Sequence, residues 1–572
     1  LIGMLAAFVA GRWRYDVVAM AGLLAAVLVG VVPADSAFTG FANPAVITVA
    51  GVLVLTRTLT RSGLFDAVVE RLLAGPSSLP AQLAVLCGLG AAASAFMNNI
   101  GALALLMPVA LWAARRQGRS PALYLMPLSY ATLLGGMTTL IGTPSNLLVS
   151  GFRAEVAGEP FGMFAFAPVA VPVAVLGVGY LVLAGWRRHA AGGGEDDDRR
   201  DAPDPSSLYD TELTVMPGSV HEGRTVEDLE RRRPVRVHGI VRDGRRVFGR
   251  LAGETLRRGD LLLLRVDSAT LHALAESEGL VPPLGPVAED DVFAEAVVAP
   301  NALAQGSCAD SLDLQGRWGV TLVAAMRQQR RTEGRLAEAS LSVGDVLLLH
   351  GGRSALQAAM ADLGCLPLAD RRVAPQPRRV RVPTVVFAVA VLLAALGIAS
   401  PAIVFALGVL VLVAARSLRP SEVYEAIDWP VIVLLAAMIP LGDALQETGA
   451  AGLAAGAVVA LAGDLGAHAF LALILAATML LTPVLNNPAT VAVMAPLAIS
   501  LATRLGLSAD PFLVAVAIGA SCDFLTPFGH HNNALVMGPG GYRFGDFARL
   551  GIGLELLVIV VTPALILLVW GW

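Results

Sequence analysis

The chain has 572 residues, of which 56% are hydrophobic and only 15% charged, and its mean hydropathy is +0.68. Soluble domains carry roughly 25% charged residues, so this composition excludes a soluble protein for most of the chain and predicts a membrane protein. The formal net charge of −4 gives no indication of nucleic-acid binding, and the charges concentrate between about residues 186 and 381. That shift in composition predicts a separate domain.

Apolar runs typical of membrane spans, which need about 20 residues, recur on both sides of the charged stretch. We predict spans at about 15–33, 44–62, 122–150 and 163–186 before it, and at about 383–399, 401–415, 428–446, 509–540 and 549–571 after it. A run at about 1–10 is counted with them although it is short for a span, and the chain starts with Leu1 rather than Met. We therefore expect that the N-terminus is trimmed.

Two further runs, at about 81–114 and 467–503, carry a pair of Asn residues in apolar surroundings. The pairs are Asn98-Asn99 and Asn486-Asn487, and in each the first Asn precedes a Pro by ten positions. Polar breaks at membrane depth are tolerated only where they are buried or line a cavity. We predict a re-entrant hairpin with the Asn pair at its tip in each run. One continuous helix with an internal Asn pair is the alternative for the first run.

The two apolar halves are copies of one another. The offset is 386 residues from Pro44 to Pro430 and from Gly63 to Gly449, 388 from Asn98 to Asn486 and from Pro108 to Pro496, and 387 from Asn146 to Asn533. Each half also has a second polar break after its hairpin, at 142–146 and at 529–533. Matching breaks in two halves point to the binding site of a secondary transporter.

The basic residues predict how the copies are oriented. Lys and Arg concentrate on the cytoplasmic side of membrane proteins, so we place the charged stretch and its flanking Arg residues in the cytoplasm. Counting spans then puts Arg115 and Arg116 inside as well, and only Arg504 falls on the wrong side. The two copies run in opposite directions, which predicts inverted repeats with the site where they meet.

The charged stretch is itself repeated. In each copy an alternating run is followed by a Gly-Asp turn and a short apolar strand, with the turns at Gly259 and Gly344, 85 residues apart. We predict two small α+β modules at 207–285 and 286–370, between a first membrane repeat at 1–188 and a second at 383–572. The segment 192–205, Gly-rich and then acidic, has the composition of a flexible linker.

The hairpin tips contain no Lys or Arg, so an anion there would be held by amide N–H groups, helix N-termini and bound cations. Hydroxyl, Asn carbonyl and free backbone carbonyl oxygens near the tips and breaks suit Na⁺. They lie at Ser94, Asn99 and Gly142 in the first half and at Thr482, Asn487 and Gly529 in the second. Hydrogen bonding between helices is the alternative role for the Asn pairs.

Two other features of the second half carry polar chemistry. Neighbouring residues on one strand or helix do not converge on one ion, so for His530-His531 we favour a substrate contact or a proton-sensitive role of His530 over a metal site. Asp523 is an acid inside an apolar run, where such residues are often functional. The four Cys residues are scattered without metal-ligand spacing. No hydrolase triad, phosphate-binding loop or dinucleotide motif stands out, so the sequence does not indicate an enzyme.

These motifs resemble those of the divalent anion/sodium symporter family, whose members carry dicarboxylates, citrate or sulfate. The family has two Ser-Asn-Thr motifs at its hairpin tips, and Asn98-Asn99-Ile100 and Asn486-Asn487-Pro488 stand at those places. Its Thr-Pro-Pro-Asn motif is matched by Thr143-Pro-Ser-Asn146, whereas His530-His-Asn-Asn533 keeps only the Asn. The resemblance covers both apolar halves.

The resemblance implies a homodimer in the inner membrane, moving by an elevator mechanism with Na⁺ as the coupling ion. It implies sodium ligands at Ser94, Asn99, Gly142, Asn146, Thr482, Asn487, Gly529 and Asn533, and substrate contacts at Asn98, Asn99, Thr143, Asn486, Asn487 and His530. Ile100 and Pro488 replace hydroxyl donors that a dicarboxylate would use. This departure favours a compact divalent inorganic anion such as sulfate.

Several alternatives stay open at this point. A Na⁺-coupled dicarboxylate or citrate carrier is the nearest one, and a regulated channel, a cation/proton antiporter or a transport-dead sensor are more distant. The cytoplasmic insert resembles two tandem TrkA-C (RCK-C) modules of potassium-channel regulators, and the combination resembles a sulfate-transporter-like branch of the family. Such modules imply a small regulatory ligand, in some relatives a cyclic dinucleotide. A dimerisation platform without ligand is the alternative.

Overall fold

The computed structural model describes residues 3–4, 7, 13–61, 78–185, 208–247, 251–267, 270–271, 273–274, 278–283, 291–300, 302–326, 335–368, 381–462, 466–527 and 529–571. Most of the opening run at 1–10, the predicted linker at 192–205 and the repeat position Gly63 lie outside these residues. The described residues are mostly helical and have one sheet in the middle of the chain. This confirms the prediction of a mainly α protein with an α+β region between two apolar halves.

The helices before the sheet follow the predicted apolar runs. They are α1 Tyr15–Leu28, α2 Pro44–Arg61, α3 Leu79–Ser94, α4 Asn99–Arg116, α5 Ala122–Gly136, α6 Pro144–Ala157 and α7 Ala167–Tyr180, which continues in a π-helical turn over Leu181–Gly185. The run predicted as one span at 122–150 is two helices. Pro144 opens the second of them at a position where its missing N–H is not needed.

The middle of the chain forms one antiparallel sheet. Its elements are β1 Tyr209–Val215, α8 Val226–Arg232, β2 Val235–Arg242, β3 Arg245–Arg246, β4 Leu261–Val266, β5 Leu280–Val281, β6 Asp291–Val298, α9 Ala309–Leu312, α10 Leu314–Trp318, β7 Thr321–Met326, β8 Val346–Gly352, α11 Arg353–Leu363 and β9 Cys365–Pro367. The strand order is β3-β2-β4-β1-β7-β8-β6-β9, with β5 paired to β1.

The pairing within the sheet follows one pattern twice. β4 pairs with β1 and β2, and β8 pairs with β6 and β7 in the same way. The Gly-Asp turns before β4 and β8 have positive φ values of 83° at Gly259 and 86° at Gly344, a conformation that Gly adopts at low cost. The pairing of β1 with β7, which joins the two patterns into one sheet, is not visible in the sequence repeat.

A partly buried cluster of ionic side chains lies next to β5. Glu278 contacts His221 Nε2 at 2.6 Å and accepts a hydrogen bond from Arg233 Nε at 2.7 Å. Burial opposes ionisation of Glu278, but the hydrogen bonds from His221 and Arg233 outweigh it and hold the pKa of this carboxyl below its ordinary value. The ionised form of Glu278 therefore stabilises the folded insert.

The helices after the sheet repeat the arrangement of the first half. They are α12 Arg381–Ala395, α13 Pro401–Ala414, α14 Pro420–Ala426, α15 Trp429–Glu447, α16 Ala450–Ala462, α17 Ala467–Leu485, α18 Asn487–Leu505, α19 Ala509–Ser521, α20 His531–Gly540 and α21 Phe544–Trp570. The run predicted as one span at 509–540 is two helices with a break at 522–530. The Ala- and Gly-rich α16 was not predicted.

Length and hydropathy identify helices that can cross a membrane. Among the described residues, α17, α18 and α21 are each long and apolar enough, and α14 with α15, bent by 60° at their junction, are a fourth. Large apolar side chains on outer faces are strongly exposed, with Leu28 87% and Leu568 81% accessible. Soluble proteins rarely expose such surfaces widely, so these faces are those that contact lipid.

Helices of the first half pack against helices of the second half in matching pairs. α1 packs against α15 and α13 against α2; α5 packs against α20 and α19 against α6; and α7 packs against α21. In the first two pairs of contacts, each contact between a helix of the first half and one of the second is matched by the contact between their counterparts. The helices named here correspond to each other at offsets of 385 to 387 residues in their first positions, apart from the last pair.

Direct contacts give the relative direction of the broken helices. Tyr542, just after α20, donates its hydroxyl to Ala122 O at 2.7 Å and accepts from Met126 N at 2.7 Å, both in the first turns of α5. At the other end of α5, Thr132 accepts from Asn532 Nδ2 at 2.7 Å, in the first turn of α20. α5 and α20 therefore run antiparallel.

The sheet lies against the end of the helical part that carries Arg115. Arg115 Nη2 is 3.3 Å from Glu295 Oε2 on β6, and Tyr209 OH donates to the other oxygen of Glu295 at 3.0 Å. The turn at Gly344 lies so close to α20 that a β-carbon there would collide with the carbonyl oxygen of Ala534. The sheet thus contacts both a hairpin helix and a broken helix.

Candidate functional site

The first Asn pair lies at the junction of α3 and α4. The side chain of Asn98 caps α4 by accepting from Gly101 N at 2.7 Å, which satisfies a helix N–H that otherwise has no partner. Asn99 is buried, and its Oδ1 accepts from the hydroxyl of Ser94 at 2.7 Å. The amide oxygen of Asn98 is thus used within the helix, and Asn99 is the member of the pair that reaches other elements.

The second Asn pair repeats this geometry at the junction of α17 and α18. Asn486 caps α18 by accepting from Ala489 N at 3.1 Å. Its φ of 72° and ψ of 160° lie in a backbone region that is otherwise occupied almost only by Gly. The hydroxyl of Thr482 lies 3.4 Å from Oδ1 of the buried Asn487. Thr482 and Asn487 therefore take the places of Ser94 and Asn99.

The breaks in the paired helices also match. Thr143 caps α6 with its hydroxyl, which accepts from Ser145 N at 3.4 Å. His530, 387 positions later, caps α20 with its ring, since Nδ1 accepts from Asn532 N at 3.0 Å. A His at the place of a Thr keeps the cap and adds a second ring nitrogen, Nε2, which is available for other contacts.

Asn146 and Asn533 hold the two breaks in shape. Asn146 Nδ2 donates to Thr139 O at 2.8 Å and to Met137 O at 3.3 Å. Asn533 Nδ2 donates to Thr526 O at 3.0 Å and to the main-chain O of Asp523 at 2.8 Å. The remaining amide oxygens differ: Asn533 Oδ1 accepts from Ser129 at 2.8 Å, whereas Asn146 Oδ1 is buried without a hydrogen-bond partner among the described residues.

Close approach of the backbone explains the glycines at the breaks. A β-carbon at Gly142 would collide with the carbonyl oxygen of Gly136, and one at Gly136 would collide with the amide of Asn99. A β-carbon at Gly529 would collide with the carboxylate of Asp523. Only Gly fits where a main chain and a polar side chain approach this closely.

Contacts across the two halves bring predicted site residues together. Asn99 Nδ2 lies 3.3 Å from His530 Nε2, and Asn532 Nδ2 donates to Asn99 O at 2.9 Å. Because Nδ1 of His530 accepts from a backbone N–H, the hydrogen of the neutral ring is on Nε2. In the amide orientation of the structure, in which Oδ1 of Asn99 accepts from Ser94, the amide N–H of Asn99 and the ring N–H of His530 are two donors that face the same point.

Asn487 and His531 are two further residues that the sequence analysis considered. α18, which begins at Asn487, packs against α6, the helix that Thr143 caps. His531 is exposed at the first position of α20, and its ring centroid is 6.4 Å from that of His530. Within the described residues no group of three or more His, Cys, Asp or Glu side chains has the arrangement of a metal site.

Sequence reasoning missed several residues that hold the site. Asn532 and Thr132 fix the main chain of Asn99, and Gly136 makes room for its side chain. Asn532 lies inside a polar motif that the repeat had already marked, so position in the motif was a usable signal. Thr132 and Gly136 lie in an unbroken apolar run, and nothing in the sequence distinguishes them from core positions.

Comparison with known proteins finds relatives over nearly the whole chain. The chain is 31% identical to an uncharacterized transporter of Synechocystis over 95% of this chain and 92% of the relative, and 29% identical to the uncharacterized transporter YfbS of Escherichia coli over 98% and 96%. It is 28% identical to sodium/sulfate cotransporter 1 of Chlamydomonas reinhardtii over 56% of this chain and 39% of the relative. The sequence profile of the CitMHS family, described as a citrate transporter, matches residues 5–519 and 466–572. The chain is therefore a membrane transport protein that belongs to the CitMHS family, whose relatives include citrate and sulfate transporters.

Proposed function

We propose that the protein is a secondary active transporter that carries a divalent inorganic anion of the sulfate class together with Na⁺. The observation that carries the proposal is the convergence of two N–H donors, from Asn99 Nδ2 and His530 Nε2, 3.3 Å apart. Two N–H donors cannot hydrogen-bond to each other, but an anionic oxygen that lies beside both nitrogens accepts a hydrogen bond from each. Hydrogen bonds to a charged acceptor are shorter and stronger than neutral ones.

Four helix N-termini support binding of an anion without basic side chains. α4 and α18 begin at the hairpin tips and α6 and α20 at the breaks, and the positive end of a helix attracts negative charge. Thr143 and Asn487 complete the substrate contacts in the proposal. The side chains of Asn98 and Asn486 contribute indirectly, because their amide oxygens cap α4 and α18.

Buried oxygen atoms without hydrogen-bond partners support two Na⁺ sites next to the anion. Among the described residues, Asn146 Oδ1 is such an atom at the first break, and both carboxylate oxygens of Asp523 are such atoms at the second. Oxygen ligands of this kind are the ones that Na⁺ uses in transporters with broken helices. We assign Ser94, Asn99, Gly142 and Asn146 to the first site and Thr482, Asn487, Gly529 and Asn533 to the second. Sodium/sulfate cotransporter relatives support the same coupling ion.

Inverted repeats and an elevator movement are the proposed framework for transport. The exchange of equivalent contacts between the halves and the antiparallel course of α5 and α20 support repeats of opposite orientation. α3 with α4 and α17 with α18 pack against each other across short junctions, which supports the two hairpins. In the proposed elevator movement, one group of helices carries the site across the membrane against a fixed scaffold.

The insert is proposed to be cytoplasmic and to act on transport. The contact between Arg115 and Glu295 supports this side, because it joins the insert to an Arg that the distribution of basic residues assigns to the cytoplasm. The repeated strand pairing supports two TrkA-C-like modules at 207–285 and 286–370, and the approach of Gly344 to α20 supports coupling to a helix of the site. A homodimer in the inner membrane is part of the proposal. No contact in the described part of the insert supports a cyclic dinucleotide as its ligand.

A carrier of citrate or a dicarboxylate is the second candidate, since the matching family profile is described as a citrate transporter. The two candidate substrates differ in how many separate sets of hydrogen-bond donors they need. A dicarboxylate has two separated charged ends, and the positions that would supply a hydroxyl at each tip are Ile100 and Pro488. A compact anion needs donors at one point only, which the pair Asn99 and His530 supplies.

Uptake into proteoliposomes tests the proposal. We expect labelled sulfate to accumulate under an inward Na⁺ gradient and not when choline replaces Na⁺. Asn99→Ala and Asn487→Ala should each reduce uptake by at least about tenfold, because each removes a hydrogen bond to a charged substrate. Asn43→Ala is the matched control, since the side chain of Asn43 accepts from Ala45 N at 2.9 Å at the start of α2, outside the site.

The same assay separates the candidates. Unlabelled thiosulfate, citrate and succinate are added as competitors. Sodium-dependent uptake of citrate or succinate without sulfate uptake would replace the first candidate by the second. Absence of sodium-dependent flux for every one of these anions would contradict the transport proposal itself.

A further inference from the structure

One charged side chain distinguishes the two otherwise matching breaks. Asp523 lies between α19 and α20, its exposed fraction is 0%, and neither carboxylate oxygen has a hydrogen-bond partner in the part of the chain that the structure describes. The equivalent position in the first half, 387 residues earlier, is Gly136. The first break is therefore electrically neutral at this position, and the second carries a carboxylate.

The carboxylate lies beside the second predicted cation site. It packs against Gly529, where a β-carbon would collide with it, and the same β-carbon would lie 2.5 Å from Cα of Pro483 at the end of α17. The preceding residue is Thr482, whose hydroxyl is 3.1 Å from Ala520 O and 3.4 Å from Asn487 Oδ1. Asp523, Thr482, Asn487 and the main chain at Gly529 thus converge from three different segments.

The free-energy cost of burying the Asp523 carboxyl group indicates that it needs a bound partner. An ionised carboxylate that is buried without a partner is destabilised by several kcal/mol. A protonated carboxyl would still have an O–H donor without an acceptor, because neither oxygen has a partner within hydrogen-bond distance among the residues that the structure describes. A bound cation supplies the counter-charge and coordinates the oxygens at the same time. Glu555, whose Oε1 accepts from Phe524 N at 3.4 Å, is a second acid close by.

We propose that Asp523 is a direct, negatively charged ligand of a monovalent cation, Na⁺, at the second break, together with Thr482, Asn487 and the main chain at Gly529. The two cation sites are then inequivalent: the first consists of neutral oxygens and the second carries one negative charge. Affinity for hard cations rises with the number of charged ligands, so the second site binds Na⁺ more tightly and fills first. This inference rests on the proposed sodium coupling.

Thermal unfolding of the purified full-length protein in detergent tests the assignment without a transport assay. A ligand that binds only the folded state raises Tm with its concentration. NaCl is titrated against choline chloride at constant ionic strength for the wild type, Asp523→Asn, Thr482→Val and Glu555→Gln. We expect Asp523→Asn to raise the Na⁺ concentration for half-maximal stabilisation by at least about tenfold. Thr482→Val should raise it as well, and Glu555→Gln, which neutralises the neighbouring acid, should not.

The unfolding data also check that the variants fold. Because Asp523→Asn removes an unpartnered charge, its Tm without Na⁺ should equal or exceed that of the wild type. Should Asp523→Asn fail to fold, the shift in Thr482→Val against Glu555→Gln still tests the site.

Each contrary outcome has its own meaning. An unchanged midpoint in Asp523→Asn and Thr482→Val would overturn the role of Asp523 and leave sodium coupling intact. No effect of Na⁺ on the wild type would overturn both proposals. Stabilisation of the wild type by acid instead of Na⁺, lost in Asp523→Asn, would show that a proton takes the place assigned to the cation.

Discussion

Replacing His530 by Thr separates substrate binding from helix capping. In the first half the same position is Thr143, which caps α6 with its hydroxyl. Thr is a preferred N-cap residue, so His530→Thr should keep the cap of α20 and change the free energy of unfolding by less than about 1 kcal/mol. It removes Nε2, which lies 3.3 Å from Asn99 Nδ2 and is one of the two donors proposed for the anion.

The expected loss follows from the missing hydrogen bond. A hydrogen bond to a charged group contributes about 1.5–3 kcal/mol, and each 1.4 kcal/mol is a factor of ten in affinity. The sulfate concentration for half-maximal uptake should therefore rise about 10- to 150-fold. Because the donor acts on binding, the maximal rate should fall less than the affinity does.

Two measurements on the same preparations decide the matter. Initial rates of sulfate uptake are recorded over a range of sulfate concentrations, and Tm is recorded in detergent. His531→Thr is the matched control, since His531 is the neighbouring His but is exposed. A half-saturating concentration within about twofold of the wild type, with the protein folded, would refute the role of His530. An equal effect of His531→Thr would show that the change is not specific to the ring facing Asn99.

Three further predictions concern other parts of the chain. Gly136→Ala should abolish sodium-dependent uptake while the protein still inserts into liposomes, because the new methyl group occupies the place of the Asn99 amide; normal uptake would show that this packing is not required. The two-point ion pair between Arg153 and Asp510, with distances of 2.9 and 3.0 Å, should contribute about 1–2 kcal/mol in a double-mutant cycle of unfolding, and a value near zero would mean that it does not connect the halves. The pKa of Glu278 is lower in the folded insert than in the unfolded chain, so its stabilisation is present above the unfolded value and is lost as the pH falls through the folded value. Tm of the wild type should accordingly fall on acidification more than that of Glu278→Gln, and parallel curves would contradict this sign.

The repeat in the sequence predicted more of the site than any single motif did. Nearly equal offsets of 388 and 387 residues identified Asn99 with Asn487 and Asn146 with Asn533, and the structure gives each pair the same kind of contact. Repeats can be read in this way because equivalent positions in two copies meet equivalent constraints. The sequence could not rank the members of each Asn pair, since capping depends on where the helix begins.

Hydropathy patterns alone did not predict that two of the apolar runs are broken into two helices. The runs at 122–150 and 509–540 have enough apolar residues for one span each, but the structure divides both into two helices. Polar motifs marked the breaks, yet hydropathy averages over the short interruption. The roles of Gly136 and Thr132 were not predicted either, because they depend on the residues that pack against them in the tertiary structure.

The sequence by itself determined that the chain is a membrane protein, that its two halves are copies, and that polar Asn motifs interrupt apolar runs at matching places. These features depend on composition and spacing along the chain, which are local properties. The tertiary structure decided which atoms meet: Asn99 with His530, Asn532 with the main chain of Asn99, and Asp523 with Gly529. Two of these contacts join positions more than 400 residues apart. Only the packing of the two halves against each other brings Asn99 to His530 and Asn532.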